Sequence, residues 1–174
     1  APGRLRLGVG TSHGPSFARP YGARFDRPLA QLREYVQVLR AALHEGRAHF
    51  SGEFYTVDAT MPAAAKTPVL ISALRENAWE LAGEVTDGGI AWLCPFPFLR
   101  DIARPALERG AARAARPTPP LIAHVPVGIG ARAEVHAATQ AMFGGYGRTP
   151  FYARMFADAG YPTAASGQLP PELL

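Results

Sequence analysis

Ser72, Arg75 and Asn77 fall together in the stretch "SALRENAWELAGEVTDGGIAW", where a short apolar run ends and a helical pattern begins. Such a junction aims the unpaired N–H groups of a helix start at its surroundings, and the helix dipole adds partial positive charge there. An Arg beside that positive end is electrostatically unhelpful unless an anion lies between them, so Ser72 and Arg75 point to an anion cradle. A second reading needs no ligand. Asn77 and Glu80 have the spacing of a capping box, in which side chains satisfy the first backbone donors.

A second polar cluster closes "GVGTSHG". Gly8 and Gly10 allow close backbone approach, and Thr11, Ser12 and His13 follow at a strand end. His13 is the candidate catalytic residue, because an imidazole there could give a proton or hydrogen-bond an anionic or carbonyl ligand. The alternative is a loop histidine without a role. The glycines lack the final spacing of a dinucleotide fingerprint, and no helix opens on them. Trp92, Cys94, Phe96 and Phe98 follow another apolar run, where they could wall a flat ligand or simply fill the core. His44, His49 and His136 read as surface residues and His124 as a core histidine. No pair of them has metal-ligand spacing, and no Ser-His-Asp set assembles, so no metal site is expected.

These groups need elements to hold them. "RLRLGVG" alternates apolar and polar residues at the period of a strand. From Asp26 as N-cap, with Pro28 in the first turn, Leu29, Leu32, Val36, Leu39 and Leu43 recur at helical spacing until Gly46. "AHFSGEFYTV" predicts a β-hairpin turning at Ser51-Gly52. "TPVLISA" predicts a strand buried on both faces, followed by a helix over 77–86, the strand "GGIAWL" and a helix over about 97–115. "PPLIAHVPVGIG" predicts another buried strand, and "AEVHAATQAMFGGYG" a helix that "PFYARMFADAG" could extend. Strands alternating with helices predict right-handed βαβ units around a parallel sheet. About four such units make either half of an eight-unit barrel or a small open sheet. In either, ligands gather at the C-terminal ends of the strands, which places Thr11–Gly14, Ser72–Asn77, Trp92–Phe96 and Gly128–Arg132 on one rim.

The 174 residues suit a single domain, with 48% apolar and 18% charged residues. The net charge is +4, but seventeen of the eighteen basic residues are Arg, spread from Arg4 to Arg154 without a block. A nucleic-acid surface would cluster them with aromatics, so the excess reads as a bias toward small anionic ligands, with no nucleic acid as partner. No segment has the apolar length of a membrane span, so no membrane partner is expected. Cys94 stands alone, which excludes an internal disulfide framework and suits a reducing cytoplasm. The chain opens on Ala1, enters a strand pattern within four residues and stops after a tail containing Pro and Gly. It reads as part of a longer polypeptide.

Taken in order, "GRLRLGVGTSHGP", "RPLAQLREYVQVLR", "GEFYTV", "PVLISAL", "LAGEVTDGGIAWLCP" and "YGRTPFYARMFADAG" resemble the luciferase-like monooxygenase superfamily along nearly the whole chain. The resemblance is greatest to its oxidoreductases that use the deazaflavin coenzyme F-420 (F420). It implies a partial TIM (β/α)8 barrel of α/β class, with "GRLRLGVG" in the place of the fourth strand, "LIAHVPVGIG" in that of the seventh, and a small hairpin insertion. The first three units and the last have no counterpart here, so the open sheet is expected to be completed by a homodimer or by the remainder of its own barrel. The resemblance further implies that Ser72, Ala73, Leu74, Arg75, Glu76 and Asn77 form the cofactor's phosphate-binding junction. Thr11, Ser12 and His13 would face its side chain or ring. Many relatives carry Gly-Pro in place of Arg75-Glu76, so a charged Arg75 contact is expected to substitute for backbone binding. The implied reaction is hydride transfer between F420 and a small organic substrate. The alternatives are an FMN-dependent monooxygenase and a non-catalytic anion-binding module or subunit.

Overall fold

A computed structural model of the chain describes residues 3–12, 14, 21–22 and 25–170. Four short strands, β1 (Leu7–Val9), β4 (Val69–Ser72), β5 (Gly89–Trp92) and β6 (Leu121–His124), form one parallel sheet in the order β1-β4-β5-β6. Strands β2 (Arg47–Ser51) and β3 (Thr56–Thr60) pair antiparallel as a separate hairpin. Its turn spans 52–55 rather than Ser51-Gly52, because the Glu34 carboxylate accepts the N–H groups of Glu53, Phe54 and Tyr55 and draws them into the turn.

The strand order decides between the two architectures left open above. Each new strand is added on the same side of the last, so right-handed crossovers place every helix on one face. A doubly wound sheet would reverse direction and carry helices on both faces. The arrangement is a segment of a (β/α)8 barrel wall, whose other face corresponds to a barrel interior. Register sets which residues occupy that inner face. Gly8 pairs with Leu70, Ser72 with Ile90, Ile90 with Ile122, and Trp92 with His124.

The outer face carries the core. Helix α1 (Pro28–Arg40) continues through a π turn (Ala41–Glu45) and ends at Gly46, whose φ of 76° needs a residue without a Cβ. Its N-cap is Arg27, not Asp26, and no side chain caps it. Helix α2 (Glu76–Val85) lays Trp79, Leu81 and Ala82 on the sheet, and Trp79 sits so closely over Gly89 that a Cβ there would collide with the indole. Helix α3 (Arg104–Arg113) follows a helical turn (Phe96–Phe98) and a π turn (Leu99–Ala103), which together fill the span expected as one helix. Val69, Ile71, Trp79, Phe98 and Leu107 are almost wholly buried between these layers.

After β6 the expected pattern breaks down. The strand stops at His124, is half exposed along its length, and leaves Val125, Val127 and Ile129 at 73%, 85% and 100% exposure. An edge strand covered on one side only can look apolar in sequence without being buried. Helix α4 (Arg132–Phe143) is followed by a 3-10 turn (Gly144–Arg148) and a separate helix α5 (Pro150–Asp158), since Pro150 cannot continue a helix and starts a new one as its first residue. Among the described residues no helix is long and apolar enough to cross a membrane.

The opposite end of the sheet is tied by Asp87. Its carboxylate accepts the Val69 N–H at 2.9 Å and pairs with Arg40 at 3.1 Å, while the Asp87 N–H donates to Val69. His44 is drawn into this cluster: its Nε2 donates to the Thr67 carbonyl at 2.8 Å. It is therefore half-buried rather than a free surface residue. His136 departs from expectation in the same direction, since its Nε2 is buried without a hydrogen-bond partner. His49 is exposed beside Asp58.

Candidate functional site

The loops after β1 and β4 meet at the C-terminal rim. Gly10 lies against Ser72, where a Cβ would stand 3.1 Å from the serine Cβ, so a larger residue there would have to push these strand ends apart by a few tenths of an ångström. Ser12 adopts φ 57°, a left-handed conformation uncommon outside glycine and recurrent at ligand sites. The Thr11 hydroxyl donates to the Ser12 carbonyl at 3.3 Å.

Beyond β4 the chain turns into α2. The capping box expected from Asn77 and Glu80 does not form. Arg75 is the N-cap, extended at φ −125° and ψ 162°, and no side chain caps the helix. Asn77 already lies inside the first turn, where its side chain cannot reach the first donors. Glu80 is held elsewhere, accepting from Arg109 at 2.9 Å and from Arg113 at 3.2 Å. The Arg109 contact, opposed by burial and helped by Arg113, holds the Glu80 carboxyl below its usual range. The first N–H groups of α2 are therefore left without a side-chain acceptor at the mouth of the rim.

These elements line a cleft of about 630 Å³. Its polar side is Thr11, Ser12, Ser72, Arg75, Glu76 and Asn77. The apolar side is Phe25, Pro28 and Leu29 at the start of α1, Leu74 and Ala78 at the start of α2, and Phe151 and Tyr152 from α5. Both clusters singled out in the sequence thus share one cavity. His13, the candidate catalytic residue, lies outside the described residues.

Arg75 lines this cleft and is only loosely held. Its Nη2 is 4.0 Å from the Asp158 carboxylate, too far for a hydrogen bond. Other arginines are committed more tightly: Arg27 to Glu53 and Arg33 to Glu84, each at 2.6 Å. Glu76, which also lines the cleft, is paired with Arg109 at 2.5 Å.

Two expected cofactor residues lie off the cleft. Ala73 is buried, with its Cβ on the helix side and its N–H donated to Ile90 at 2.9 Å. Trp92 sits on the inner face, edge-on to His124 and Phe143 at 5.8 Å and to Tyr146 at 6.5 Å. It reaches the cleft through Tyr146, which packs on Tyr152 at 4.8 Å. His124 is exposed, with Nδ1 3.3 Å from the Ala91 carbonyl, and so is not a core histidine. Phe98 is core, while Phe96 is 70% exposed under the Arg100 guanidinium. Burial pushes the Cys94 thiol up to about 12, and it donates weakly to the Trp92 carbonyl. The loop Gly128–Arg132 does not line the cleft. Among the described residues no group of three or more His, Cys, Asp or Glu side chains could hold a metal ion.

The apolar wall of the cleft was not singled out by sequence reasoning. Phe25 and Leu29 lie within a helix-start pattern. Tyr152 shares helical spacing with Met155 and Phe156, which marks a buried face and says nothing about a cavity.

Comparison with known proteins fits this geometry. The family model described as "Luciferase-like monooxygenase" matches residues 1–172. An uncharacterized protein of Mycobacterium tuberculosis is 34% identical over 98% of this chain, and the match covers 54% of that protein. The chain thus spans about half the length of the curated relatives it matches over nearly its whole extent. An F420-dependent glucose-6-phosphate dehydrogenase of Nocardia farcinica is 32% identical over 66% of the chain and 37% of its own length. Among solved structures, an F420-dependent secondary alcohol dehydrogenase superposes with a TM-score of 0.74 at 17% identity, over 96% of this chain and 56% of that one. The F420-dependent tetrahydromethanopterin reductase of Methanopyrus kandleri gives 0.72 at 18%, over 98% and 60%. At these identities the superpositions establish the fold, and the family match extends over almost every residue. This chain belongs to the luciferase-like monooxygenase family.

Proposed function

We propose that this chain forms the cofactor-phosphate half of an F420-dependent oxidoreductase site. The observation that carries the reading is Arg75 standing at an uncapped helix start inside the shared cleft. The donors there suit a phosphate: the N–H groups of Glu76 and Asn77 at the start of α2, the guanidinium of Arg75, and the side chains of Ser72 and Asn77. The hydroxyls of Thr11 and Ser12 extend the polar side toward the rest of a cofactor, and Phe25, Leu29, Phe151 and Tyr152 would exclude water from it. When bound, F420 accepts or donates a hydride, while the protein's share is to hold, orient and desolvate it. Relatives named as F420-dependent dehydrogenases support the choice of cofactor.

On this reading His13 is the residue that holds or delivers a proton at a small organic substrate. Ala73 and Trp92 support the site from behind rather than line it. The inner sheet face, with Ile90, Ile122 and His124, would be covered by further barrel strands from a second copy or from its own polypeptide. A lone, partly buried Cys94 suits the cytoplasm.

Titration with F420, followed by the change in its own fluorescence, tests the assignment, with FMN as competing ligand. F420 should bind more tightly than FMN, and Arg75→Ala should weaken it by about tenfold to a hundredfold. Stronger binding of FMN would make the flavin monooxygenase the better reading. Unchanged F420 affinity in Arg75→Ala would remove the junction from the site.

A further inference from the structure

Arg75 is the most loosely held of the cleft's charges, and the group that holds it lies outside the cleft lining. Asp158 ends helix α5, six residues after Tyr152. Its Oδ1 accepts from Arg154 Nε at 2.8 Å, one turn back along the same helix, while its Oδ2 stands 4.0 Å from Arg75 Nη2. The Arg154 contact fixes the carboxylate on its own helix. The Arg75 contact is an attraction between charges without a hydrogen bond, so none of the guanidinium donors is spent on Asp158. The negative end of the α5 dipole adds to the same pull. The remaining acid at the junction, Glu76, is turned toward Arg109.

From this arrangement we infer that Asp158 is the counter-ion of Arg75 in the ligand-free protein and lowers the affinity of the cleft for its anion. The inference rests on the anion cradle proposed above and adds an element that tunes it. An anion at the α2 start takes the guanidinium donors without breaking a hydrogen bond. To do so it must draw the guanidinium away from a carboxylate fixed behind it, and the attraction lost there opposes binding. The side chains of Arg75 and Asp158 are 43% and 25% exposed, so water screens both interactions and keeps the effect modest. A modest opposing charge shortens the residence of a bound cofactor phosphate without abolishing binding, which suits a cofactor that must leave and return between redox partners.

A merely structural clasp between α5 and α2 would act with the opposite sign, and the test uses that. Affinity and dissociation rate are measured for inorganic phosphate and for F420 with the wild type, Asp158→Asn, Asp158→Glu, Arg75→Ala and the double variant Arg75→Ala/Asp158→Asn. Asp158→Asn should bind both ligands about threefold to tenfold more tightly, chiefly through slower dissociation, and Asp158→Glu should return to wild-type affinity. In the Arg75→Ala background Asp158→Asn should change little. Unchanged or weaker binding by Asp158→Asn overturns the inference while leaving the cradle intact. An equal gain with and without Arg75 overturns it as well. A wild type that binds neither ligand overturns the cradle and this inference together.

Discussion

The helix that presents the anion cradle is seated by two glycines, and replacing one measures how much that seating matters. A Cβ on Gly83 of α2 would collide with the Leu107 carbonyl and stand 2.8 Å from the Ala111 nitrogen. Reciprocally, a Cβ on Gly110 of α3 would collide with the Glu80 carbonyl. The obstacles are backbone atoms, which cannot rotate away as a side chain would, so Gly83→Ala must push the two helices apart. Intrinsic helix propensity acts the other way and favours Ala over Gly by about 1 kcal/mol. Overpacking of a closed interface costs about 1–3 kcal/mol, with backbone contacts at the upper end, so the net expectation is destabilisation by about 2 kcal/mol. For a chain of this size that lowers Tm by roughly 4–8 °C. Gly145→Ala is the control, because nothing lies within 4 Å of its Cβ position, and it should stay within about 0.5 kcal/mol of wild type. Thermal and urea unfolding of the three proteins decide the matter. A Gly83→Ala protein as stable as wild type would refute the argument that backbone contact fixes α2. Weaker phosphate binding by the same variant is the functional counterpart, since α2 carries the first-turn donors.

Two further expectations concern titration. Arg33 binds Glu84 through both guanidinium Nη atoms at 2.8 and 2.6 Å, and this contact, opposed by burial and aided by the charges of Arg33 and Arg113, holds the Glu84 carboxyl below its usual range. Because the folded value lies below the unfolded one, the stabilisation is full above the ordinary carboxylate range and is lost as pH falls through the depressed value. Glu84→Gln should therefore be less stable at pH 7 and show a shallower loss between pH 5 and about pH 3 by urea midpoint; an acid limb as steep as wild type would contradict this. Cys94 titrates in the other sense: its thiol is raised by burial to about 12, so above its ordinary value of 9.0 the unfolded chain ionises first and the fold loses stability. At pH 8 a thiol-specific disulfide reagent should label native Cys94 much more slowly than the urea-unfolded chain. Rapid labelling of the native protein would show that the thiol is not enclosed.

Much of the scaffold could be read from local pattern. The helical spacing from Leu29 to Leu43 and the apolar runs at 69–72 and 89–92 reflect periodicities that any packed helix or strand must obey, and the elements appear within a residue or two of those positions. Gly46 and Pro150 punctuate the chain where their backbone chemistry requires. Reading failed where burial depends on what stands opposite. Val125, Val127 and Ile129 look like the end of a buried strand and are exposed, while His44 and His136 look like surface residues and are drawn inward. Asn77 and Glu80 have capping-box spacing, but the arginines of α3 take Glu80 and the helix begins one residue early.

The division at the candidate site follows the same line. By itself the sequence determined the α/β class, the polar strand end carrying Thr11–Ser12, the strand-to-helix junction carrying Ser72–Asn77, and membership of the family. These are local or collinear properties, fixed by residue type and spacing. Only the tertiary structure decided that the two stretches face one cleft, that Phe25, Leu29, Phe151 and Tyr152 close its sides, and that Asp158 stands behind Arg75. Those partners are separated by up to 147 positions along the chain, from Thr11 to Asp158. Parallel crossovers and the fold-back of α5 bring them together, and no local spacing encodes that approach.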